Sequence, residues 1–98
     1  MEKLTSSEVK QLKKSAHHLK PIFQIGKNGV TDNFINQISD VLEKRELIKV
    51  SVLQNCLEDK DVIADDISRQ TSSHIVTIIG NTIILYKESV NHKQIELS

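Results

Sequence analysis

The segment Gly26-Lys27-Asn28-Gly29 stands between a short apolar run, PIFQI, and a threonine-led start, VTDNF. Two glycines around two polar residues admit backbone shapes closed to other residues and let a second backbone come close. Such a segment can turn several N–H groups outward, and a helix N-terminus just after it adds positive dipole. Lys27 supplies a mobile cation, and Asn28 can donate to a phosphate or sugar oxygen. This chemistry suits a polyanion backbone; KH domains clamp single-stranded RNA with a GXXG loop, although there it joins two helices. A plain strand-to-helix turn with solvent-facing Lys27 and Asn28 accounts for the same residues. The local sequence leaves both readings open.

A second group of cations lies upstream. Lys10, Lys13, Lys14 and His17 recur at helical spacing, and Lys20 follows. The chain is neutral, with 13 basic and 13 acidic side chains, yet the charge is uneven. Residues 1–30 carry six lysines and two acids, a net of +4; the remainder carries seven basic and eleven acidic groups, a net of −4. Glu58, Asp59, Asp61, Asp65 and Asp66 make up most of that deficit. Local charge sets local potential, so a basic patch can bind a polyanion on a neutral protein. A solvated helix face is the other account of such a lysine stripe.

The remaining reactive groups point away from catalysis. Cys56 is the single cysteine; it cannot form an internal disulfide, which fits a reducing compartment, and its surroundings mark no activated thiol. It reads as small, polar-tolerant filler. His17 and His18 are adjacent and point about 100° apart on a helix, so they are not a metal pair; His18 reads as a partly buried packing residue. The acidic cluster lacks the spacing and glycine of a calcium loop and reads as a helix start. Asp40 and Glu43 show no acid–base setting. No triad, Walker loop or dinucleotide fingerprint is present, so neither an enzyme nor a cofactor or metal is expected. The start of the chain is polar, without a signal-peptide core, and no apolar run approaches the ~20 residues of a membrane span. A cytoplasmic protein with no membrane and no small-molecule substrate is expected.

The elements that must position these groups follow from periodicity. The 98 residues suit one domain over 1–98, burying roughly 60–65% of the unfolded surface. Only Phe23, Phe34 and Tyr86 are aromatic, so the core is Ile, Val and Leu. Residues 5–19 read as a helix with a Thr5–Glu8 capping box, a buried stripe of Val9, Leu12, Ala16 and Leu19, and a stop at Pro21. Residues 21–25 read as a strand, and 31–45 as a helix capped by Thr31, with Val30 stapled near Ile35. Residues 46–53 form a strand with Ile48, Val50 and Val52 on one face and Lys49 and Ser51 on the other. Residues 59–70 form a third helix on Ile63, Ala64 and Ile67. Residues 74–79 and 82–88 pair as a hairpin about Gly80-Asn81. The tail, 89–98, is polar and has no assigned element; Ile95 and Leu97 are its candidates for a late edge contact. The order α-β-α-β-α-β-β predicts an α/β (α+β) domain: a four-stranded mixed sheet packed by helices.

Four separated motifs then resemble one family. The A-H-x-L-x-P entry (AHHLKP), the I-G-x-x-G-[VL]-T loop (IGKNGVT), the strand ELIKV and the late run VTIIGNTIILY are similar to the YhbY-type RNA-binding proteins. These are the single-domain bacterial members of the CRM (chloroplast RNA splicing and ribosome maturation) family. The resemblance spans nearly the whole chain. It implies a fold similar to the C-terminal domain of a bacterial translation initiation factor and an RNA partner, ribosomal RNA in precursors of the large subunit. It implies an assembly role, with Gly26, Lys27, Asn28 and Gly29 as the RNA-contacting loop beside a basic surface. After the L-Y of the last strand the family often has Arg; here Lys87 offers a point charge without the bidentate fork. A non-enzymatic adaptor that docks on a ribosomal protein or assembly enzyme through the acidic third helix is the alternative.

Overall fold

The computed structural model describes residues 3–97, and the elements fall in the expected order. They are α1 (Ser6–Ala16), β1 (Phe23–Ile25), α2 (Asp32–Arg45), β2 (Leu47–Val52), α3 (Lys60–Thr71), β3 (His74–Ile79) and β4 (Thr82–Tyr86). The four strands form one sheet in the order β1-β2-β4-β3. β1 runs parallel to β2, joined through α2, and β4 lies antiparallel to both β2 and β3.

Alternation along the strands gives the sheet two apolar faces. Ile48, Val50, Val52, Ile83 and Leu85 pack with Ile35, Ile38 and Leu42 of α2 and with Ile63, Ala64 and Ile67 of α3. Leu47, Ile84, Tyr86 and Val76 form a second cluster with Leu12 and Ala16 of α1. Ile75 and Ile78, three residues apart, reach the α2–α3 side together because the β3 register shifts between Ile75 and Thr77. The result is three layers: α1, sheet, then α2 with α3. Fully burying one such aliphatic side chain contributes about 1.5–3 kcal/mol, so the small sheet gains from being covered twice.

The helix starts are built as their sequences suggest. Thr5 and Glu8 form a reciprocal capping box, Thr31 accepts from the Phe34 N–H at 3.1 Å, and Asp59 caps α3. Several ends differ from expectation. α1 stops at Ala16, one turn early, with His17 as its cap. Leu19 then donates its N–H to Ala16 O and receives the Lys49 ammonium on its carbonyl at 2.9 Å. His18 therefore lies beyond the helix and is exposed, not packed. β1 begins at Phe23 rather than Pro21, and β4 ends at Tyr86 rather than residue 88.

Glu46 is not the first strand residue. It caps α2 with φ 64°, in the left-handed region that costs a non-glycine residue of order 1–3 kcal/mol, and it is fully buried. Its carboxylate accepts the N–H groups of Ser89 (2.8 Å), Gln94 and Ile95 (2.8 Å). Glu43, one turn earlier, accepts Val90 N–H at 2.9 Å and Asn91 N–H at 3.0 Å. Its carboxylate and carbonyl both receive the Ser89 hydroxyl. The polar tail is thus strapped to the end of α2, and Ile95 and Leu97 pack against the α1 cluster rather than a sheet edge.

Candidate nucleic-acid interface

β1 ends at Ile25, and the chain turns at once. Gly29 N–H donates to Gly26 O at 3.0 Å, closing a four-residue turn whose central Lys27 and Asn28 are exposed. Neither central residue has positive φ, whereas Gly29 has φ 64°: a type I-like turn closed by a left-handed glycine. The two glycines serve different needs. Gly29 supplies the left-handed backbone. Gly26 gives room, since a Cβ there would meet Asn55 Oδ1 at 3.1 Å. Thr31 and α2 follow directly, so the first turn of a 14-residue helix opens beside Lys27 and Asn28. Among the described residues, the amides of Lys27 and Asn28 have no internal acceptor.

Lys10, Lys13, Lys14 and His17 are all exposed on the outer side of α1, opposite Leu12 and Ala16. Lys20 is also exposed. The ion pairs among the described residues are Arg69 with Asp65 and Asp66, and Lys93 with Glu88. None of the six predicted lysines is neutralised by one. The strand register locates these groups along the molecule. Ile25, next to the loop, is level with Val52, while Tyr86, next to Lys87, is level with Leu47. Five strand steps, roughly 17 Å, separate those levels. Lys49, whose ammonium reaches Leu19 O, stands between them, so the end of α1 sits near the middle of the sheet. Lys87 is half-buried at the far end, its N–H bonded to Glu46 O. Lys87 is therefore set apart from the loop along the strands, while α1 packs over β2, β3 and β4.

Two neighbours of the loop escaped the sequence reading. Asn55, from the β2–α3 connection, closes over Gly26, and the Glu58 carboxylate comes within 3.9 Å of where a Gly29 Cβ would be. Nothing local signals either contact; both depend on β1 and β2 being parallel neighbours. Glu58 thus sets a negative charge beside the Gly29 end of the loop. The rest of the acidic cluster lies on α3, across the sheet from α1, with Asp65 and Asp66 paired to Arg69. Cys56 is half-buried and packs against the α2–α3 core.

A third feature is the cross-strand pair His74 and Tyr86 on the α1 side, stacked with ring centroids 6.2 Å apart. Burial holds the His74 imidazole below its ordinary pKa, with Glu8 opposing. Burial first, then Glu46, Glu88 and Glu8, pushes the Tyr86 hydroxyl above its own. Among the described residues no helix is long and apolar enough to cross a membrane, and no group of three His, Cys, Asp or Glu could hold a metal ion.

Comparison with known proteins gives a consistent set of relatives. The CRS1 / YhbY (CRM) domain matches residues 4–87. A Bacillus subtilis protein named "Probable RNA-binding protein YqeI" is 58% identical over 94 residues, covering 96% of this chain and 98% of that protein. A Haemophilus influenzae protein named "RNA-binding protein" is 37% identical over 93 residues, covering 95% and 94%. A Staphylococcus aureus solution structure, described as that of a candidate RNA-binding protein, shares 49% identity and superposes with a TM-score of 0.81, covering 98% of this chain and 100% of that one.

Proposed function

The chain belongs to the CRS1 / YhbY (CRM) domain family, and from that premise we propose that it is a non-catalytic, single-domain RNA-binding protein. Its RNA is ribosomal, in cytoplasmic precursors of the large subunit, where it acts as an assembly factor. The observation that carries the reading is the Gly26–Gly29 turn: two open backbone amides, the Lys27 ammonium and the start of α2 face solvent together. That set matches the phosphate oxygens of a single strand. Lys20 and the exposed stripe Lys10, Lys13, Lys14 and His17 extend the track over α1. Aromatic side chains are too few for an extended stacking platform, so the backbone and shape of the RNA are what the protein reads.

The test is the double substitution Lys27→Asp with Asn28→Asp, which keeps both glycines. Affinity for single-stranded ribosomal RNA fragments should fall by about a hundredfold, with the circular-dichroism spectrum and melting temperature unchanged. Affinity retained at the wild-type level would remove the loop from the interface. The adaptor reading, in which acidic α3 meets a basic protein, predicts no salt-dependent binding to protein-free RNA. The RNA reading predicts a log–log slope of about −0.7 per phosphate contacted.

A further inference from the structure

The loop-centred reading leaves unused a recess of about 420 Å³ at the Lys87 end of the sheet, a size in the range of small-ligand clefts. His74 and Tyr86 form part of its wall, with Lys3, Lys87, Glu8 and Glu88 around them. Tyr86 is only 4% exposed and backs the half-buried His74 ring, which stacks on it with an interplanar angle of 22°. An imidazole face braced from behind is a platform on which one unstacked base can rest. Lys3 and Lys87 engage in no ion pair among the described residues, and both line the same recess.

The two carboxylates sharpen the chemistry. Glu8 accepts the Thr5 N–H at 2.9 Å, and Glu88 holds Lys93 at 3.0 Å. Each keeps acceptor capacity beyond that partner. They oppose a bare phosphate chain and favour a base whose edge carries N–H donors, as the Watson–Crick edge of guanine does. The recess is bounded from both ends of the described chain, by Leu4 before α1 and by Leu97 of the strapped tail.

We propose that this recess takes one nucleoside monophosphate unit of an RNA strand, its base against His74 and its phosphate toward Lys3 and Lys87. It is a second contact, at the opposite end of the sheet from the Gly26–Gly29 turn. The identification of the strand as RNA rests on the functional reading above; the recess and its chemistry do not.

The experiment titrates the full, isotope-labelled chain with guanosine 5′-monophosphate and follows backbone amides by NMR. Saturable shifts are expected at Ser72, His74 and Lys87, and inorganic phosphate at equal concentration should not reproduce them. His74→Ala should weaken binding about tenfold and His74→Phe should restore it. Lys87→Gln should weaken it about threefold. The Lys27→Asp, Asn28→Asp variant should titrate as wild type. A single-stranded RNA oligonucleotide should displace the mononucleotide. No saturable shift, the same shifts with phosphate alone, or equal loss in His74→Ala and His74→Phe would overturn the proposal. So would mononucleotide binding that RNA does not compete for, which would mark a free-nucleotide site. If RNA binds through the loop and the mononucleotide moves nothing at the recess, the recess alone falls. If RNA does not bind the wild-type chain at all, the functional reading falls with it.

Discussion

The two ends of α2 handle backbone N–H groups in opposite ways. At its C-terminal end, Glu43 and Glu46 bring carboxylates to five N–H groups of the tail, from Ser89, Val90, Asn91, Gln94 and Ile95. At its N-terminal end, the turn from Gly26 to Gly29 leaves the Lys27 and Asn28 amides without an acceptor among the described residues. Both are places where N–H groups collect near an anion position. In one the protein supplies the anion from its own chain; in the other the amides face solvent beside a lysine. Buried polar groups demand partners, and the fully buried Glu46 with the buried Ser89 N–H meets that demand, while the Glu43 bonds to Val90 and Asn91 are exposed. The amides of Lys27 and Asn28 are exposed too and carry no such demand.

The largest effect expected from this contrast is on stability. Glu46→Ala removes a fully buried carboxylate and orphans three N–H groups, a loss of about 2–4 kcal/mol, measured by urea denaturation. RNA affinity at a temperature where the variant is folded should stay within about threefold of wild type. A stability loss below about 1 kcal/mol would mean that water replaces the carboxylate at little cost, and the contrast between the two ends would collapse.

Acid should separate the ends next. Glu46 is pushed up by burial, but the N–H groups of Ser89, Gln94 and Ile95 and the Lys93 charge outweigh that and hold it below its ordinary value. The N–H groups of Val90 and Asn91, with the Ser89 hydroxyl, lower Glu43. Both folded-state values therefore lie below the ordinary 4.5. Their contribution is fully present above that pH and is lost as the pH falls through the lower folded values. Protection against hydrogen exchange at Ser89, Val90, Asn91, Gln94 and Ile95, taken relative to the intrinsic rate at each pH, should be lost as the pH falls below the ordinary 4.5 while α3 amides remain protected. Simultaneous exchange of all amides would show that the strap has no separate acid transition.

Smaller effects sharpen the exposed end. Lys13→Gln and Lys14→Gln should each reduce the salt slope of RNA binding by about 0.7 without moving the melting temperature; an unchanged slope would remove α1 from the track. Glu58→Gln should raise RNA affinity about twofold at low salt, an advantage that fades as salt screens the loop. Weaker binding instead would show that Glu58 helps to shape the turn.

What the sequence reveals is what is local. The Thr5–Glu8 box, the Thr31 cap, the Gly26–Gly29 turn and the Gly80-Asn81 hairpin each reside within a few residues, where propensity and spacing suffice. The strap does not: its bonds join Glu43 and Glu46 to residues more than forty positions later, and no period marks them. The Lys49 bond to Leu19 escaped for the same reason, since it spans thirty residues. The distance between Lys87 and the loop required the strand order. So did the pairing of His74 with Tyr86, each unremarkable in its own segment.

The strand order has one further consequence. β4 is the last strand in the chain yet lies between β2 and β3. While the polypeptide is being made, β2 has a partner on only one side until Thr82–Tyr86 has emerged, and Ile48 and Val50 meanwhile lack Ile83 and Leu85. A nascent chain halted before residue 82 would present an unfinished ribbon edge. Holding such a chain on a translating ribosome should leave it sensitive to protease and attractive to chaperones, with resistance gained in a single step once the central strand arrives.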